Sequence, residues 1–334
     1  VLLINKERIL EMDVIRAMAI LGVIGIHISA TTLRYNPYPT TYNITFILNQ
    51  ICRFSVPAFI FISGMGITIS YNRKENYFYF LWKRCKKVLP QYLVWCLIYI
   101  IAITKNYNIH QNIDYIIHGK VFYHLYFIPL IIELYLIFPI IYRFIENIWF
   151  VILSFGVTAV MIIYTYYFIN VTPDMWFFDK KNLLYWIFYF CIGGYIGKHK
   201  DTILPKLKNY SFIIFGCLII SMLYVLDSLI FYKGIGKNLE YLVTFQRPSI
   251  IIYSTLFILF IFSFNWKNKL FMGIIKYISK ASYSVYLCHA LILYLYTQYY
   301  ISNGYSLNSL HFELKAFLIT FFGALIINEL KKFL

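Results

Sequence analysis

Apolar runs long enough to cross a lipid bilayer recur from Met12 to Leu330, and no polar half interrupts them. Hydrocarbon offers no water to an unpaired backbone, so a run of about 20 such residues has to be a helix. The chain is 61% hydrophobic and only 13% charged, where soluble domains are about 25% charged. These features predict an all-α polytopic membrane protein, with residues 1–334 forming one integral membrane domain. Ten spans are expected, at 13–33, 46–71, 86–104, 122–142, 148–169, 183–197, 209–231, 248–264, 281–300 and 312–330. The N-terminus has the basic flank and apolar run of a signal peptide. Arg16 and His27 inside that run, and the lack of a small-x-small site, predict instead a retained first span.

The net charge of +16 does not imply nucleic acid, because the cations lie in loops between spans rather than on one soluble face. With ten spans, nineteen of the 30 Lys and Arg fall in one set of loops and nine in the other, while Arg16 and Arg53 are intramembrane. Lys and Arg concentrate on the cytoplasmic side, so both ends are expected inside. The six cysteines, at 52, 85, 96, 191, 217 and 288, form no close pairs. Neither a disulfide framework nor a metal site is expected. No convincing internal repeat supports a repeat-built transporter.

Ionisable residues within spans are costly and usually functional. The first span holds Asp13, Arg16 and His27. Arg16 and His27 are eleven residues apart, which is three helical turns plus about 20°, so they share one face about 16 Å apart. One reading is a snorkelling Arg16 paired with Asp13, beside a structural His27. The other places both on a polar central cavity, with Arg16 holding an anionic ligand from the cytoplasm and His27 acting as general base toward a hydroxyl. In the second span Arg53 either snorkels or lines the cavity, Pro57 should break the helix, and Ser63-Gly64 permits close packing. The run Lys83-Arg84-Cys85-Lys86-Lys87 reads as a topology signal, with phosphate binding by Arg84 and Lys87 as the alternative. The fourth span carries His124 and Tyr135, eleven apart and so on one face, and Glu133, which needs a partner. The ninth carries His289.

Taken in order, these stretches resemble the membrane acyltransferase-3 family. Arg8…Asp13-x-x-Arg16…His27 is similar to its first-helix Arg/His hallmark. Phe54-Ser-Val-Pro57 with Phe61-Ile-Ser-Gly64, the basic run ending at Pro90, His124-Leu-Tyr-Phe127 with Tyr135 and Pro139, and Ser282 to His289 resemble its later signatures. This chain reads Arg84-Cys-Lys-Lys87 where the family commonly has Arg-x-x-Arg, and Lys lacks the bidentate fork. Tyr126 stands where Trp is common. The resemblance implies a cell-membrane O-acyltransferase, most often an O-acetyltransferase. Acetyl-CoA would be the donor substrate, and the acceptor an extracytoplasmic cell-surface glycan or lipid-linked sugar. His27 and Arg16 would be catalytic, and Arg84 and Lys87 would bind the donor. Asp13, Arg53, Ser63, His124, Glu133, Tyr135 and His289 would support the cavity. Some relatives append a secreted hydrolase-like domain; none follows the last span here, so a separate secreted acyltransferase is a candidate partner. A glycan transporter or flippase, or a membrane sensing module, would also need a polar cavity.

Overall fold

A computed structural model describes residues 8–35, 39–105, 108–168, 176–179, 181–227 and 243–331, without the side chains of Pro39, Thr40 and Trp176. The expected ends of the fifth and seventh spans, and Lys6, Lys180, Lys233, Lys237 and Lys332 from the charge reading, lie outside the described residues. The described residues hold helices and no strand. In chain order these are α1 (Leu10–Arg34), α2 (Pro39–Ile51), α3 (Ser55–Ser70), α4 (Tyr77–Tyr99), α5 (Ile109–Ile117), α6 (Phe127–Phe144) and α7 (Ile148–Phe168). Then come α8 (Ile187–Lys198), α9 (Lys200–Asn209), α10 (Ser211–Leu226), α11 (Pro248–Ser263), α12 (Lys269–Ser302) and α13 (Leu310–Leu330).

Each of the ten expected windows holds a helix, but they are not equivalent. Among the described residues, six helical stretches are long and apolar enough to cross a membrane, and a seventh joins them if α9 and α10, bent by 77°, form one span. The helices α8 and α11 are short, and α12 has the length but is diluted by Tyr, Ser and His. Large apolar side chains on α7 and α10, including Phe168 and Phe212, face outward, as lipid contact requires. The amphipathic α5 occupies a segment expected to be loop and buries none of its residues.

The first helix is central, packing against α2, α3, α11, α12 and α13. The densest contact is between α3 and α8, and it depends on glycine. A Cβ at Gly64 would stand 2.1 Å from the Phe190 carbonyl oxygen, and one at Gly193 2.1 Å from that of Phe61. The two backbones therefore touch, as small residues permit in membranes and as Ser63-Gly64 predicted.

The break expected at Pro57 lies just before it. A 3-10 turn at Cys52–Phe54 joins α2 to α3, and Pro57 is the third residue of α3. A first-turn proline lacks only an N–H that the helix would leave unpaired, so it marks a start. The same holds for Pro129, third in α6. His124 therefore precedes its helix, in a turn. This corrects the expectation that His124 and Tyr135 share a helical face.

Candidate functional site

Three histidines far apart in sequence meet at one cavity. His27 comes from α1, His124 from the turn before α6, and His289 from α12. Ring centroids lie 5.3 Å apart for His27 and His289, 5.0 Å for His124 and His289, and 6.5 Å for His27 and His124. Tyr123 packs on His27 at 4.7 Å. His27 is half-buried and lines a cavity of about 450 Å³, whereas His289 is fully buried behind it.

The surrounding hydroxyls explain why the cluster holds together. The Tyr286 hydroxyl donates to the His124 carbonyl, tying the turn to α12. The Tyr99 hydroxyl donates to the Leu287 carbonyl at 2.9 Å and accepts from the Leu291 N–H at 3.0 Å. Those are the two backbone groups that a helix pairs with each other, so Tyr99 fixes α12 at the level of His289. The Nδ1 of His289 lies 2.7 Å from the Tyr286 carbonyl. A carbonyl only accepts, so Nδ1 carries the proton and Nε2 is the basic nitrogen. That Nε2 has no hydrogen-bond partner among the described residues.

The opposite wall carries Arg53. Its Nε and Nη2 donate to Asn49 Oδ1 at 3.1 and 2.5 Å. Asn49 in turn donates to Ser29 Oγ at 2.9 Å and the Ile26 carbonyl at 3.3 Å, locking α2 onto α1 beside His27. Of the two readings for Arg53, the structure gives the cavity-lining one.

Arg16 lines a second pocket of about 310 Å³ with Arg8, Asp13 and Gly66. Asp13 is engaged chiefly by Arg8, through a two-point pair at 2.5 and 2.8 Å, and by Ser279 Oγ at 2.7 Å. That hydrogen bonding raises the Arg8 guanidinium above its ordinary value. Arg16 stands 3.7 Å from Asp13 and donates to Ser279 at 3.3 Å. It is therefore not the tight Asp13 partner that the snorkelling account needs. Arg84 of α4 reaches the same place. Its Nη2 donates to the Gly66 carbonyl at 3.3 Å and to Ser70 Oγ, and its guanidinium lies 5.7 Å from the Tyr135 ring.

Several expectations need correction. Arg16 and His27 line two different cavities rather than one, and these have no lining residue in common among the described residues. Between them on the same face of α1 lie Ile20 and Val23, both apolar and buried. Tyr135 belongs with Arg84 rather than with His124. Glu133 faces outward and lines neither cavity. Lys87 is exposed, and Ser63 is half-buried; neither lines the two cavities. Sequence reasoning missed Asn49, Tyr99, Tyr123 and Tyr286. Tyr123, beside His124, Asn49, one helical turn before Arg53, and Tyr286, inside the stretch Ser282 to His289, left a signal to follow; Tyr99 left none.

A family model described as "Acyltransferase domain" matches residues 9–329. The chain is 27% identical to YfiQ of Bacillus subtilis, named as a membrane-bound acyltransferase, over 85% of this chain and 80% of that protein. It is 26% identical to a Staphylococcus aureus protein named as a poly-beta-1,6-N-acetyl-D-glucosamine export protein, over 89% of this chain and 87% of the other. A Staphylococcus epidermidis protein of the same name is equally similar, over 89% and 86%. No solved structure matches significantly.

Proposed function

Since the chain belongs to the acyltransferase-3 family, we propose that it is a cell-membrane O-acyltransferase. It would carry an acyl group, acetyl by preference, from cytoplasmic acyl-CoA to a hydroxyl of an extracytoplasmic glycan or lipid-linked sugar. The observation that carries this reading is the meeting of His27, His124 and His289 at one cavity, with Arg16 and Arg84 converging on another along the same helix. In this reading the ten helical windows are ten spans, with both termini cytoplasmic. The Arg16 pocket then opens inward and the His27 cavity outward.

The residues present suit the donor. Two guanidiniums near one pocket, Arg16 at 3.7 Å from Asp13 and Arg84 on neutral oxygens, suit the phosphates of CoA. From there the thioester end has about 16 Å to cover along α1, past Ile20 and Val23. At the far end His27 takes the proton of the acceptor hydroxyl as its oxygen attacks the thioester carbonyl. The carbon–sulfur bond breaks and the thiolate leaves. General-base help of this kind is worth about 10²–10⁴-fold. A separate secreted acyltransferase would be needed only if the first acceptor is a carrier sugar.

The test is acetyl incorporation into surface glycans in cells expressing His27→Ala or Arg16→Ala. Both should lose it by at least about 100-fold at normal expression. Wild-type incorporation in either would remove this mechanism. A second reading, export of a glycan, draws on the names of the staphylococcal relatives. Vesicles with purified protein that move glycan without consuming acyl-CoA would favour it.

A further inference from the structure

We propose that the acceptor entering the His27 cavity carries an anionic group, a carboxylate or a phosphate on the glycan, and that Arg53 binds it. This rests on reading that cavity as the acceptor site. Arg53 sits in its wall, on the 3-10 turn between α2 and α3. A guanidinium has five N–H donors. Here Nε and Nη2 share one neutral amide oxygen, and Arg53 forms no ion pair among the described residues.

The neighbours add positive charge. Arg34 lines the same cavity at its exposed rim, and Arg247 lies behind the wall, close enough for its charge to oppose that of Arg53. No Asp or Glu lines the cavity among the described residues, and Asp179, the carboxylate that acts on Tyr126, stands outside it. A guanidinium held in a low-dielectric wall by a neutral amide oxygen is costly unless an anion joins it. The Asn49 network holds the guanidinium still, and Nη1 makes no hydrogen bond among the described residues. A carboxylate or phosphate arriving from the cavity would meet a fixed donor, the geometry such anions prefer. The rings of Tyr123, Tyr126 and Phe127 give the apolar walls a small-ligand site requires.

The test uses the full chain in a nonionic detergent, titrated with sodium glucuronate, glucose 6-phosphate or glucose at matched sodium concentration. Binding is read from the unfolding midpoint by tryptophan fluorescence. The charged sugars should raise it saturably while glucose does not. Arg53→Gln should weaken that response by about tenfold or more, the loss of one charge-assisted hydrogen bond, and Arg53→Lys by less. Lys315→Gln, outside both cavities, should leave it intact.

Equal shifts with glucose, an unchanged response in Arg53→Gln, or a response lost only in Arg16→Gln would overturn the proposal. So would nanodiscs in which phosphatidylglycerol, but not phosphatidylcholine, abolishes the sugar response, since Arg53 would then hold a lipid headgroup. A chain that binds charged sugars through Arg53 but transfers no acyl group keeps this inference and loses the transfer reading. Transfer to neutral glycans with no Arg53 dependence does the reverse.

Discussion

His289 shows how a hydrogen bond to the backbone assigns a side chain its role. With Nδ1–H committed to the Tyr286 carbonyl, Nε2 is a basic nitrogen beside His27 and remote from the cavity mouth. It should help His27 take up a proton rather than touch the acceptor, which makes it a positioning residue. His289→Asn keeps a donor for Tyr286 and removes the base. It should lower kcat for transfer by about tenfold or more, leave KM for the acceptor unchanged, and flatten the pH profile. Equal losses in kcat and thermal stability would reduce His289 to a packing role. The sequence displayed each histidine as a polar group in an apolar stretch, and only the family resemblance gathered them at one cavity. Their meeting depends on how α1, α12 and a turn pack, and no periodicity within one segment encodes that. Glu133 shows the converse: a charge inside a span invites a functional role, and its outward direction emerges only from helix rotation.

At the scale of the element, proline and glycine were the readable residues. Pro57 and Pro129 each stand third in a helix; the break expected at Pro57 is a start, and reading Pro129 as another start would have placed His124 in its turn beforehand. Gly64 was legible as a packing residue, but its partner Gly193 was not, since nothing in the sequence pairs α3 with α8. Because each glycine faces backbone at 2.1 Å, even one methyl group forces the helices apart. Gly193→Ala should cost about 1–3 kcal/mol, visible as a lower unfolding midpoint in detergent and reduced expression. Gly156→Ala, in α7 with nothing within 4 Å of its Cβ, should show no loss. If both behave alike, the α3–α8 contact is not what holds this part of the bundle.

For the whole molecule, the loops carried the signal for orientation and the helices carried none, because the Lys and Arg bias is a property of what lies between spans. The two-cavity arrangement was hidden for a related reason. Eleven-residue spacing on α1 sets Arg16 and His27 on one face but is silent on what fills the face between. If transfer runs between the cavities, the route passes Ile20 and Val23 on α1 and faces α3. There Phe59 lines one cavity and Gly66 the other, with Ser63 four residues after the first and three before the second, on the same face. Ser63 is small and half-buried, so it can be enlarged with less damage than the close-packed Ile20. Ser63→Phe should leave CoA binding, read by its thermal shift, within about twofold of wild type, and lower acyl transfer by about 100-fold, the scale at which misplacing a reacting group is felt. Unimpaired transfer would mean that the acyl group takes another path. Loss of CoA binding together with transfer would mean that Ser63 supports the Arg16 pocket and says nothing of a route. Only selective loss of transfer ties the cation at one end of α1 to the imidazole at the other.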